Sequence, residues 1–183
     1  RAGNLYGVTS VGGANNMGRA FELSPPPRTG KTWSMTPVWD FSGPDGNYSQ
    51  TTLLRDGAGD LYGVMVLGGA ANDGVVFRLV PPASGGQAWT EQTLWSFSGT
   101  DGAYPFNGVT MDKAGQLYGT TLDGGSSNIG AVFRLTPGGN GQPWTETTMW
   151  SFAGPEGQSP ISVPGVTAQG RVYGTAQYGG ANN

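Results

Sequence analysis

The 183-residue sequence contains no cysteine and no histidine. The first absence removes disulfides and thiolate metal sites and leaves the redox compartment open. The second removes the commonest metal ligand and the usual general base of nucleophile–base catalysis. Charge is scarce too: Asp, Glu, Lys and Arg make up 11% of the residues, with a net charge of -3. With a pI near 4.7 the chain has no basic footprint, which argues against nucleic acid and anionic membrane surfaces as partners. No apolar run reaches the length of a membrane span. The opening Arg1-Ala2-Gly3 has neither an initiator Met nor a signal-like stretch, as expected of a processed or partial product.

What is abundant is glycine, with 34 residues, joined by 13 prolines. Scattered, they would indicate low complexity, but they recur at fixed places and act as turn punctuation. Tyr6, Tyr62, Tyr118 and Tyr173, each in Leu-Tyr-Gly or Val-Tyr-Gly, stand at steps of 56, 56 and 55 residues. The Gly-Gly pairs at Gly12, Gly68, Gly124 and Gly179 keep the same steps, as do Phe21, Phe77 and Phe133. Trp33, Trp89 and Trp144, then Trp39, Trp95 and Trp150, place all six tryptophans in the repeat. The array divides into repeats 3–58, 59–114 and 115–169 and a partial fourth, 170–183.

Turn signals cut each repeat into four short strands. In the second copy these are Leu61 to Leu67, Val75 to Val80, Ala88 to Phe97, and a weaker Val109 to Asp112. The breaks between them are Gly68 to Gly74, Pro81 to Gly86 and Ser98 to Gly102. Strict alternation along the third strand puts Trp89, Trp95 and Phe97 on one face and Leu94 on the other. Val75, Phe77 and Leu79 share a face opposite Val76, so apolar groups occupy both faces, as expected of a sheet held between two like neighbours. The expected fold is all-β: tandem four-stranded repeats resembling β-propeller blades, three copies plus one extra strand, Arg171 to Tyr178. Three and a quarter blades do not close a ring, so self-association or further repeats of a longer chain are the expected partners.

The linked motifs carry a resemblance. Leu-Tyr-Gly, Gly-Gly, Val-Phe-Arg-Leu, Trp-Ser-Phe-x-Gly, Asp-Gly-x-x-Pro and Asp-x-x-Gly together resemble the Gloeo/Verruco repeat of secreted bacterial proteins. The resemblance covers essentially the whole chain and implies an extracellular or cell-surface, propeller-like array with no catalytic residue set. Three positions depart from the pattern: Phe21-Glu22-Leu23 replaces Phe-Arg-Leu, Gln158-Ser159-Pro160 follows Glu156-Gly157, and the Asp56/Asp112 position is lost near Ala168.

Candidate chemistry lies in three residue sets. Asp45, Asp101 and Glu156 recur in Gly-flanked turns, and Asp56 and Asp112 precede the next first strand. Such carboxylates with loop carbonyls are potential Ca²⁺ ligands, but one or two per copy fall short of a calcium loop, so turn geometry is the primary expectation and no cofactor is expected. Trp33, Trp89 and Trp144, at strand starts beside Pro/Gly-rich loops, offer faces on which sugar rings stack; Asn16, Asn72 and Asn128 offer amide partners, although αL turns are their first expected role. The non-repeated acids Glu22, Asp40, Asp60, Asp73 and Asp123 are the only leads to a paired-carboxylate hydrolase. The expected function is a secreted, non-enzymatic repeat module that binds or self-assembles. A multivalent glycan-binding lectin is the first alternative and a carboxylate-dependent glycan hydrolase the second.

Overall fold

A computed structural model describes residues 3–27, 30–83 and 88–180. Asn182 and Asn183, and Ser84 to Gly86 of the expected Pro/Gly break, lie outside the described residues.

The chain is all-β, in successive antiparallel sheets. The first sheet orders Leu5–Val8, Arg19–Ser24 and Ser34–Asp40. The second orders Leu54–Arg55, Leu61–Met65, Val75–Val80 and Thr90–Ser96, and the third Ala103–Met111, Leu117–Asp123, Ala131–Thr136 and Thr145–Ser151. At the C-terminal end Gln158–Pro160 pairs with Ala176–Tyr178, and Gly165–Val166 with Val172–Tyr173. Val, Thr and aromatic residues recur in these segments, the side chains that fit a pleated, half-buried surface.

The sheets take a different phase from the sequence repeat. The strand that closes one repeat hydrogen-bonds to the first strand of the next: Ala103–Met111 pairs with Leu117–Asp123. Arg171 to Tyr178 is therefore not a lone strand, because it pairs back onto Gln158–Pro160 and Gly165–Val166. These closing strands also touch from sheet to sheet. Thr52 donates from its backbone N–H and its hydroxyl to the Asn107 carbonyl at 3.0 and 2.8 Å, and the Asn107 amide reaches the Ile161 carbonyl.

The expected parity of the third strands fails at one point in each copy. Val76 pairs with Trp95 and Phe77 with Thr93, so Leu94 is an extra residue in a β-bulge; Val38 and Met149 occupy the same place in the sister sheets. The bulge turns Leu94 and Trp95 to the same side. Leu94, Phe97 and partly buried Trp95 join the core with the third sheet, while Trp89 packs against the core with the first. The expectation that Trp89 and Trp95 share a face is thereby corrected: strict alternation ends at the extra residue.

Two clusters hold the array together. Ala20, Val38 and Phe41 of the first unit meet Leu61, Met65, Val75, Phe77 and Leu79 of the second. Tyr62, Val64, Val76, Leu94 and Phe97 then meet Val109, Leu117, Phe133 and Leu135 of the third. The second sheet is thus buried on both faces.

Candidate functional site

The repeated carboxylates are built into turns. Asp45 accepts the Ser42 backbone N–H at 2.7 Å and its hydroxyl at 2.9 Å on one oxygen, and the Trp39 indole N–H at 2.8 Å on the other. Asp101 repeats this with Ser98, at 2.9 and 3.1 Å, and Trp95, at 2.9 Å. Asp56 accepts the backbone N–H groups of Ala58, Gly59 and Asp60, each at 2.9 Å, and the Tyr62 hydroxyl at 3.2 Å. Asp112 holds Ala114 and Gln116 at 2.9 Å and the Tyr118 hydroxyl at 3.1 Å. Burial pushes the Tyr62 phenol up to about 12, and the Asp56 carboxylate adds to this. Among the described residues no three His, Cys, Asp or Glu side chains gather into a metal-sized cluster.

Asn16, Asn72 and Asn128 sit at φ of 58°, 61° and 56°, the left-handed region that asparagine tolerates better than most residues. Their side-chain oxygens accept the N–H groups of Gly12, Gly68 and Gly124 at 3.2, 3.1 and 3.3 Å. These amides close the loops between first and second strands.

The three tryptophans at the strand starts differ. Trp33 is 46% exposed, whereas Trp89 packs partly buried beside the first interface and Trp144 beside the second. Trp89 meets Tyr6 edge-on at 6.2 Å, and Arg55 lies 5.7 Å over the Tyr6 ring. These three residues line a cleft of about 550 Å³ with Asn4 and Glu22, which are hydrogen-bonded to each other. At the next interface Asp60 and Arg78 stand in place of Asn4 and Glu22, and they form an ion pair with a 2.6 Å bond. The first-copy departure at Glu22 therefore replaces an ion pair with a neutral–acid pair beside an aromatic cleft. Of the other non-repeated acids, Asp40 is held by Arg19 at 2.6 and 2.8 Å, and that guanidinium keeps its carboxyl below the usual range.

A second hollow, about 420 Å³, opens on the outer face of the third sheet between Met149, Trp150, Phe152 and Gly174. Its counterparts around Phe41 and Phe97 are filled by the following sheet.

The turn chemistry, strand ladder and interface phenylalanines recur in register along the whole array, and a known repeat matches it across residues 1–183. The chain belongs to the Gloeobacter/Verrucomicrobia repeat family. No curated protein matches it. In this repeat protein the sequence signal at Asp56 and Asp112 ends at the fourth copy, where Thr167 takes over. Its hydroxyl accepts the Arg171 N–H at 3.1 Å, and its own N–H meets the Arg171 carbonyl at 2.9 Å. Sequence reasoning also passed over the glycines of the Leu-Tyr-Gly motif. A Cβ on Gly7 or Gly63 would lie 2.6 Å from the ring of Phe21 or Phe77. The recurrence of Gly beside Tyr, with Phe always in register across the ladder, was the available signal.

Proposed function

We propose that this chain is a secreted, non-enzymatic repeat scaffold that works by stacking its units in a propeller-like array and assembling through their faces. The observation that carries this reading is the sheet-to-sheet interface. It occurs twice within the chain with the same aromatic pair, and among the described residues its two halves recur uncovered on the first and third sheets. The contacts from Thr52 to Asn107 to Ile161, which link the closing strands of neighbouring sheets, fit strands gathered around a common axis. A place outside the cell rests on the resemblance to repeats of secreted bacterial proteins. The repeated aspartates already accept three or four protein donors each, which supports a turn role over calcium binding. A chelator is therefore expected to leave the melting temperature unchanged, and a loss restored by Ca²⁺ would reverse that assignment. The decisive experiment is light scattering at micromolar concentration. Assembly predicts masses above the 18.9 kDa of one chain, and a monodisperse monomer would refute it.

One observation favours a second reading. The cleft beside Trp89 combines aromatic surface with Asn4, Glu22 and Arg55, the mixture that recognises sugar rings. A glycan array separates this reading from pure assembly, and loss of signal in Trp89→Ala would place the ligand there.

A further inference from the structure

Both internal interfaces are built the same way. A phenylalanine just past the third strand of one repeat meets, edge-on, a phenylalanine from the second strand of the next repeat: Phe41 with Phe77 at 5.0 Å, and Phe97 with Phe133 at 5.1 Å. The incoming ring lies over a glycine of its own sheet, Gly63 under Phe77 and Gly119 under Phe133. All four rings are fully buried.

Among the described residues the same two half-interfaces recur uncovered, one in the first sheet and one beside the third. On the C-terminal side Phe152 occupies the place of Phe41 and Phe97, and among the described residues no ring pairs with it. Beside it Trp150 is 54% exposed, and Met149 is exposed where Val38 and Leu94 are buried. Gly174 occupies the place of Gly63 and Gly119, but a Cβ there would meet only the Ser162 hydroxyl. These residues wall the 420 Å³ hollow. On the N-terminal side the incoming half is displayed: Leu5 is 56% exposed where Leu61 and Leu117 are fully buried, and Phe21 lies over Gly7, ready to meet a ring. The first sheet has three strands, and among the described residues none pairs with the outer edge of Leu5–Val8, where Leu54–Arg55 and Ala103–Met111 close the next two sheets.

We propose that these halves are each other's partners: the first sheet of a second copy of the chain docks on the C-terminal face, with Phe21 entering the hollow against Phe152. In the docked form Leu5–Val8 of the second copy takes the edge of Gln158–Pro160 and Gly165–Val166 in place of Val172–Tyr178. This gives the three-stranded sheet its fourth strand. The exchange is nearly neutral in strand pairing, because Leu5-Tyr6-Gly7 and Val172-Tyr173-Gly174 are the same motif and the displaced ladder is interrupted at Gly174 and Thr175. What drives it is the apolar surface of Leu5, Phe21, Met149 and Trp150 removed from water. The interface is heterologous, head to tail, with each copy offering one of each half.

This inference rests on the assembly reading above, and its test separates the two. Leu5→Glu spoils only the incoming half and Trp150→Glu only the receiving half, and both side chains are exposed in the single chain, so each variant keeps its fold, checked by far-UV circular dichroism. Sedimentation of either variant alone should give monomer. An equimolar mixture should recover a two-copy complex, because one variant keeps a sound receiving face and the other a sound incoming face. In wild type, amides of 172–178 should lose hydrogen-exchange protection on association. Variants that still self-associate, a mixture that stays monomeric, or protection retained at 172–178 would overturn this interface and leave assembly through another surface standing. A monomeric wild type would remove the assembly reading itself.

Discussion

Truncating Phe77 is the sharpest probe of the stacked-sheet core. Its ring is fully buried, sits over Gly63 on its own sheet and meets Phe41 of the first sheet at 5.0 Å and 62°. Phe→Ala in a core costs about 3–5 kcal/mol, and an edge-to-face pair adds about 0.5–1.5 kcal/mol beyond buried area. The upper part of that range is expected, because Gly63 has no side chain with which to fill the hole. We therefore expect Phe77→Ala to lose about 5 kcal/mol, or roughly 10–20 °C in Tm at about 2–4 °C per kcal/mol for a chain of this size. Urea unfolding followed by tryptophan fluorescence gives the free energy. Gly63→Ala alone should also destabilise, since the new Cβ would stand 2.6 Å from the ring. In the Phe77→Ala background the same Cβ enters the vacated space and should recover part of the loss. A loss below about 1.5 kcal/mol for Phe77→Ala, or strictly additive effects in the double variant, would show that the ring does not fill the gap between these sheets.

Two further predictions concern charge. Burial, with a smaller contribution from Asp45 across the interface, pushes the Glu91 carboxyl from 4.5 up to about 7, although the Thr93 hydroxyl bond opposes this. The native state then binds more protons than the unfolded chain between these values, so stability should fall as pH rises through that window and level off above it. After solvent screening the fall is about 1–2 kcal/mol, and Glu91→Gln should flatten the pH profile of the urea midpoint; an unchanged slope would refute the assignment. In the third sheet Gln116 stands where Asp60 pairs with Arg78, and Arg134 Nε is buried without a partner. Gln116→Asp should supply that partner and raise stability by about 1 kcal/mol, measured by the same unfolding curves.

The repeat, its strands and its turn residues were legible because each depends on local chemistry. Gly, Asn and Asp mark backbone turns wherever they fall, and a fixed spacing survives any tertiary arrangement. Asn72 at positive φ and Asp101 capping its own turn follow from residue type and neighbours alone. Burial of apolar groups on both faces was likewise readable from Val76 opposite Val75 and Phe77. The bulge at Leu94 was not, because an extra residue leaves no mark in a single strand and shows only when two strands are paired. The phase of the sheets was hidden for a similar reason: hydrogen bonds join the end of one repeat to the start of the next, while the sequence period is the same wherever counting begins. Glu22 read as an isolated acid until folding placed it beside Asn4 and near Trp89, residues far apart along the chain. Periodicity shows that units are alike; only tertiary contact decides which faces meet, which stay open, and which side chains of distant repeats share a cleft.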